Sequence, residues 1–321
     1  MNWKDSLEGK RCVVAGGAGF LGSHLCEALL AAGNQVVAID NFSTSSGANV
    51  RHLEGRRGFT LLVQDVCDPV FVDGPVDVVL SFASPASPPR YSELSVETLR
   101  VGSVGTERLL LLALEKHSRF VHASTSEVYG DPLIHPQTEE YWGHVNPIGQ
   151  RSMYDEAKRF SEALIEAYRR RYGLDTGLVR IFNTYGPRMD PWDGRVVTNF
   201  VRQAITGEPI TIYGDGSQTR SFCFVDDEVE GILRFVASGS HGPMNIGNPN
   251  EFTMIELAES VLQATGAHVP MIREPLPPDD PAQRCPDISL AMDVLGWQPT
   301  VELAEGLNRT AAWLRTELVN V

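Results

Sequence analysis

Gly16-Gly17-Ala18-Gly19-Phe20-Leu21-Gly22 spaces its glycines as G-x-x-G-x-x-G, between a short apolar run at residues 10–15 and a stretch of helical periodicity at residues 21–32. Residues without a Cβ let the backbone approach a pyrophosphate, and the N-terminus of the following helix favours its charge. Many glycine clusters are only tight turns, so the surroundings decide. Here the next apolar run, residues 35–39, stops at Asp40, and no Arg or Lys follows in residues 41–49. A carboxylate at that strand end accepts hydrogen bonds from the adenosine ribose and repels a 2′-phosphate, which predicts NAD rather than NADP. The expected cradle is Gly16, Gly19, Phe20, Leu21, Gly22 and Asp40, with Asn41 and Ala83 beside it and Asp65-Val66 toward the adenine edge.

Further apolar runs lie at residues 59–63, 76–83, 120–123 and 176–181, with helical stretches between them, notably 96–116 and 152–172. Strands that are nearly continuous in apolar residues and alternate with helices imply a parallel sheet covered on both faces. The expected fold is therefore α/β: a Rossmann-type doubly wound parallel sheet with a smaller C-terminal substrate-binding domain. Beyond about Asn183, Pro and Gly become frequent, the helices are expected to shorten, and residues 275–286 read as an irregular loop. This divides the chain into residues 1–182, which bind the dinucleotide and carry the catalytic helix, and residues 183–321, which mainly bind substrate, some segments returning to the sheet.

With 321 residues, 42% of them apolar and 21% charged, the chain can bury a sizeable core. Its formal net charge of −14 argues against a nucleic-acid partner or an anionic membrane surface. An acidic protein can still bind an anionic ligand if a few arginines converge in the pocket. The five cysteines are scattered without a C-x-x-C pair, so neither a zinc site nor a disulfide framework is expected, and Cys12 and Cys26 read as core residues. Residues 1–10 are polar and resemble neither a signal peptide nor an anchor, so a reducing, cytoplasmic setting is expected.

Tyr154-Asp155-Glu156-Ala157-Lys158 places a phenol and an ammonium at i and i+4, on one face of a helix. A phenol is a poor base at neutral pH, but Lys158 and a cationic nicotinamide would both favour the phenolate. Alone, Tyr-x-x-x-Lys is a common accident. It gains force from Ala123-Ser124-Thr125-Ser126-Glu127-Val128-Tyr129-Gly130, which follows an apolar strand, so that Thr125 can hold the hydroxyl that Tyr154 deprotonates.

With these motifs the chain resembles an extended short-chain dehydrogenase/reductase, and within that group it closely resembles UDP-glucuronate decarboxylase (UDP-xylose synthase). The particular carriers are Ser84-Pro85-Ala86-Ser87-Pro88-Pro89, Tyr141-Trp142-Gly143-His144-Val145-Asn146-Pro147, Arg180-Ile181-Phe182-Asn183-Thr184-Tyr185-Gly186-Pro187-Arg188 and Gly216-Ser217-Gln218-Thr219-Arg220. The resemblance implies UDP-glucuronic acid as substrate, UDP-xylose as product and one retained NAD: oxidation at C4, loss of CO2 from the β-keto acid, protonation at C5 and reduction at C4. It implies Thr125, Ser126, Glu127, Tyr154, Lys158 and Arg220 as catalytic residues. It carries Arg188, Arg195, Val196, Tyr213, Gln218 and Arg284 to the uridine and diphosphate, and Tyr91, Glu127 and Asn183 to the sugar. Ser126 stands where sugar-nucleotide 4,6-dehydratases have an acidic residue, and a serine suits a substrate carboxylate better. No metal is implied.

One position departs from the family, which carries Asn in N-x-x-G-T where this chain has Gly102-Ser103-Val104-Gly105-Thr106. That Asn supports the backbone and water around the catalytic Tyr, and a helical Gly costs about 1 kcal/mol against Ala. Family members also pair two helices in a dimer. The corresponding stripes here are Leu109, Leu110, Leu112 and Ala113 on one helix and Phe160, Ala163, Leu164 and Ala167 on the other, so a homodimer is expected. The rival functions are a decarboxylase that stops at the 4-keto-pentose, a UDP-sugar 4-epimerase or 4,6-dehydratase, and a non-catalytic NAD sensor.

Overall fold

Cys12 and Val14 face one side of the central sheet, Val13 and Ala15 the other, and all four are fully buried. Alternation along a strand sends neighbours to opposite faces, so a strand apolar throughout must be covered twice. The computed structural model, which describes residues 2–276 and 283–319, shows both covers. One layer contains helices Phe20–Ala31 and Val225–Ser238, and the other Thr106–Lys116 and Ser152–Tyr172.

The sheet has seven parallel strands. Six are β1 (Arg11–Ala15), β2 (Gln35–Asp40), β3 (Phe59–Val63), β4 (Val78–Ser81), β5 (Arg119–Thr125) and β6 (Thr176–Ile181). The seventh, Met244–Ile246, returns from the C-terminal half to pair with β6. From one edge the order is β3, β2, β1, β4, β5, β6, then Met244–Ile246. Strand order reverses between β1 and β4, so a crevice opens above their carboxyl ends. Gly16, Asp40, Ala83 and Thr125 stand at or just past the ends of β1, β2, β4 and β5.

Three expectations need correction. The helices do not all shorten after residue 183: Val225–Ser238 has 14 residues and Leu303–Val319 has 17, each burying an apolar face. Part of the 275–286 loop is regular. Gln283–Arg284 pairs in parallel with Thr219–Ser221, which also pairs antiparallel with Glu251–Thr253; residues 277–282 lie outside the described part. The stretch 96–116 is not one regular helix, because Ser95–Arg100 widens into a π-helical turn, Val101–Gly105, before Thr106–Lys116 resumes.

The apolar stripes sort by face. Of the first stripe Leu109, Leu110, Leu112 and Ala113 are all buried in the core, whereas of the second Phe160, Ala163 and Ala167 are exposed and Leu164 is half-buried; Val96 and Leu99, outside both stripes, are exposed as well. All five cysteines are free, and Cys67 is the only one not buried. No helix among the described residues is long and apolar enough to cross a membrane.

Candidate active site

The crevice is a cleft of about 1200 Å³ that runs from the glycine loop to the C-terminal half. Every residue expected from the sequence to bind cofactor or substrate or to act in catalysis lines it except Asp65. The carboxylate of Asp65 accepts hydrogen bonds from Asn41 at 3.0 Å and from the Cys67 amide at 2.8 Å, which turns it into a loop tie.

At one end the backbone makes the site. A Cβ on Gly16 would lie 2.8 Å from the backbone of Ala83, and one on Gly22 only 2.0 Å from the Gly16 carbonyl oxygen. Gly19 caps helix Phe20–Ala31 without a side-chain hydrogen bond, leaving the amides of the first turn toward the cleft for an anion. Asp40 is fixed by amides and a hydroxyl: Oδ2 accepts from Ala18 at 3.0 Å, and Oδ1 from Phe42 at 2.9 Å and Ser45 at 3.1 Å. Glycines that no side chain could replace, an open helix start and an ordered carboxylate at the second strand end together fit a dinucleotide.

At the other end side chains from five segments converge. Tyr154 and Lys158 project from helix Ser152–Tyr172, both buried, and Lys158 Nζ donates to the Ala123 carbonyl at 2.7 Å. Burial lowers the Lys158 pKa to about 8, with Glu162 opposing. Burial also pushes Tyr154 up to about 12, against a hydrogen bond with Thr125 and the charge of Arg195. That direction is opposite to the expected one, so Lys158 does not by itself make Tyr154 a base in the protein alone. Tyr91 stacks on Tyr154, ring centroids 5.0 Å apart and 10° from parallel.

Glu127 sits among cations. Arg151 Nη2 donates to its Oε2 at 2.6 Å, and Arg284 Nη2 approaches the same oxygen at 3.3 Å. Burial alone would raise the Glu127 pKa, but Arg284, Arg151 and Arg220 outweigh it and hold the carboxyl well below its usual range. Buried Asp155 belongs to the same cluster: burial and Glu127 raise its pKa to about 7, against Arg151 and Arg284. Arg284 also donates to the carbonyls of Ser126 and Gly130, which places it beside Ser126-Glu127. Beneath this layer, Ser124 and Arg180 both bind Glu162, at 2.5 Å and at 2.8 and 2.9 Å.

Farther out, Arg188 pairs with Glu27, and Arg195, the residue before helix Val196–Thr206, pairs with Asp193 at 2.8 Å. Tyr213, half exposed, and Gln218 are joined by a 2.8 Å hydrogen bond. Arg220 lies on strand Thr219–Ser221 directly opposite Arg284, and Asn183 follows β6. Several buried polar atoms along the cleft have no hydrogen-bond partner among the described residues: Tyr91 OH, Ser87 Oγ and Arg188 Nη1. Orphaned polar atoms beside a cleft are what a polar ligand would satisfy.

Sequence reasoning missed Arg151. The signal was present, since Arg151, Tyr154 and Lys158 follow i, i+3, i+7 spacing on one helix face. It also missed a cluster away from the cleft, where His135, Glu251 and Cys285 bring one ligand-type atom each within 4.8 Å. Those atoms already bond to one another or to protein neighbours: His135 to Glu251 at 2.8 Å, Thr219 to Glu251 at 2.7 Å and Cys285 to the Pro249 carbonyl at 3.3 Å.

A crevice at the strand-order reversal, a glycine-built cradle and a Thr/Tyr/Lys set define a sugar-nucleotide oxidoreductase site of the extended short-chain type. The chain belongs to the NAD dependent epimerase/dehydratase family, whose family model matches residues 12–247. Within that family the chain is similar to UDP-glucuronic acid decarboxylases. UDP-glucuronic acid decarboxylase 6 of Arabidopsis thaliana is 51% identical over 92% of this chain and 86% of its own length. UDP-glucuronic acid decarboxylase 1 of Danio rerio is 47% identical over 96% of this chain and 73% of its own. Among solved structures, a UDP-glucose 4-epimerase from Thermotoga maritima with UDP-glucose superposes with a TM-score of 0.89 at 29% identity, covering 96% of this chain and 99% of that one. A UDP-glucuronic acid 4-epimerase from Bacillus cereus, in complex with UDP-glucuronic acid and NAD, gives 0.85 at 27% identity over 96% and 99%.

Proposed function

We propose that this protein decarboxylates UDP-glucuronic acid to UDP-xylose with a retained NAD. The single observation that carries the reading is the convergence of guanidiniums at the sugar end, where Arg151 and Arg284 bind Glu127 and Arg220 acts on the same carboxylate, beside Tyr154. A guanidinium matches the planar geometry of a sugar carboxylate, which a neutral hexose lacks. The names of the relatives agree with it.

Gly16, Gly19, Phe20, Leu21, Gly22, Asp40, Asn41, Val66 and Ala83 would hold NAD. When bound, NAD supplies a reversible two-electron oxidation at C4 of the sugar. Thr125 and Tyr154 grip the C4 hydroxyl, and Tyr154 takes its proton. A cationic nicotinamide near Tyr154 and the ammonium of Lys158 would offset the burial that now disfavours the phenolate. With a ketone at C4 the carboxylate is β to a carbonyl, so the C5–C6 bond breaks and its electron pair rests on an enolate. Arg284 and Arg151 hold the carboxylate and stabilise that enolate. Glu127, ionised at neutral pH, orders the guanidiniums and a water for protonation at C5 and does not itself donate the proton. Ser126 binds a carboxylate oxygen. Tyr91 and Asn183 position the sugar, while Arg188, Arg195, Val196, Tyr213 and Gln218 bind the uridine and diphosphate.

The division of labour falls near residue 182, with cofactor chemistry before it and sugar-nucleotide recognition mainly after it. The exposed apolar residues Val96, Leu99 and Phe160, on the two helices paired in the family's dimers, support a homodimer. Five free cysteines support a reducing, cytoplasmic setting. The test is NMR of the purified protein with NAD and UDP-glucuronic acid. CO2 and UDP-xylose should appear in equal amounts. A C4 epimer without CO2 would overturn the decarboxylase reading, and an accumulating 4-keto-pentose would overturn the complete cycle.

A further inference from the structure

Gly102 stands where the resemblance implies an Asn, and the structure shows why no side chain fits. A Cβ on Gly102 would fall 2.7 Å from the Ala157 Cβ and 2.8 Å from the Ala157 carbonyl oxygen. The backbone at Gly102 is helical with no positive φ, so size and not conformation demands glycine here. The contact joins the π-helical turn Val101–Gly105 to the catalytic helix Ser152–Tyr172, three residues after Tyr154 and one before Lys158.

A hydroxyl fastens the same spot. Ser161 Oγ lies 2.7 Å from the Gly102 carbonyl and 2.8 Å from the Ala157 carbonyl, with Thr106 Oγ1 at 3.3 Å. All three side chains are buried. A π turn inserts one residue into a helix, disturbs the regular ladder and is found mostly at functional sites. Here its carbonyl is taken up across the helix pair. The turn also reaches the cofactor end, because a Cβ on Gly105 would lie 2.9 Å from Val66 Cγ2, and Val101 lines the cleft.

We propose that Gly102, Ala157 and Ser161 form a size-matched lock that sets how far the catalytic helix carries Tyr154 and Lys158 into the cleft. These are positioning residues; none touches the reacting atoms. The inference rests on Tyr154 and Lys158 being the proton-transfer pair. Lys158 has little slack, since its Nζ already reaches the Ala123 carbonyl at 2.7 Å, and a shift of the helix would break that bond and the Thr125–Tyr154 contact together.

The experiment is a two-site exchange in the NAD-loaded protein: Gly102→Ala, Ala157→Gly and the double variant. Each is measured for kcat, KM, thermal midpoint and the titration of Tyr154, the last read as phenolate absorbance against the matching Tyr154→Phe background. Overpacking should lower kcat of Gly102→Ala by about tenfold with KM little changed, and displace the Tyr154 titration. Ala157→Gly in the same chain should restore kcat to within about twofold and return the titration to the wild-type value. Wild-type kcat and titration in Gly102→Ala overturn the lock. So does a double variant no better than Gly102→Ala alone. Should Gly102→Ala fail to fold, the double variant decides: recovered folding with a wild-type Tyr154 titration supports the lock, and recovered folding with a displaced one reduces the contact to packing. If the wild-type protein does not turn over UDP-glucuronic acid, the functional reading fails while the Tyr154 titration still tests the lock.

Discussion

The two ends of the cleft are built by different means. At the cofactor end the selecting groups are backbone amides and missing side chains, supplied by one strand-turn-helix unit, with Asp40 added by the next strand. At the sugar end they are side chains from β5, the catalytic helix, strand Thr219–Ser221 and strand Gln283–Arg284, brought together over more than a hundred residues of sequence. A backbone-made site is local and tolerates little replacement, since Gly22 has no room for a methyl. A side-chain cage is assembled by tertiary contacts and can be retuned one residue at a time, so the reaction should be decided at the sugar end and the cofactor at the other.

Experiments can break this contrast. The largest effect is expected for Tyr154→Phe, which should lower turnover by about a thousandfold while NAD binding, read by calorimetry, stays close to wild type. Loss of NAD affinity in parallel would mean that the two ends are not separable. Next is Arg284→Ala, expected to slow CO2 release by about a hundredfold, because removing one partner from a buried ionic cluster strands the other. Glu127→Gln and Arg220→Ala should act in the same direction with smaller losses. Single-turnover ketone formation measured beside CO2 release separates the steps, and equal falls in both would reduce these residues to substrate anchors. Asp40→Asn should leave turnover with NAD nearly intact and narrow the preference over NADP by about tenfold. An unchanged preference would remove Asp40 from the ribose.

The smallest effect concerns pH. Lys158 releases its proton near 8 in the folded protein, against 10.5 for a free lysine. Between those values the unfolded chain binds more protons, so this residue makes stability rise with pH over that window. Lys158→Met should flatten the rise, and thermal midpoints across the window would show it. A slope that persists in the variant assigns the effect elsewhere.

Legibility from sequence followed the same contrast. The glycine loop, Asp40 and helix Ser152–Tyr172 could be placed because periodicity and missing side chains are local signals. The spacing put Arg151 on the face of Tyr154 and Lys158, but its partner was not visible until the fold brought Glu127 beside it. The contact of Arg284 with Ser126-Glu127 was not visible either, because only the pairing of its strand with Thr219–Ser221 shows which groups it meets. The direction of the Tyr154 shift also depends on burial, a property of the whole assembly. The widened turn at Val101–Gly105 was hidden for a related reason: a helical period continues through it, and its contacts lie on another helix.

The face-to-face packing of Tyr91 on Tyr154 bears on motion as well as chemistry. A phenol ring can turn over only if its neighbours part, and here one face is covered by a second ring in the packed interior while Lys158 stands 5.8 Å from the ring centre. Rotation of the Tyr154 ring should therefore be slow, leaving its two edges magnetically distinct, and each turnover of the ring should coincide with an opening of the segment that carries Tyr91. The proton-transfer group would thus report, through its own rotation rate, how often the Pro-rich wall of the cleft lets go.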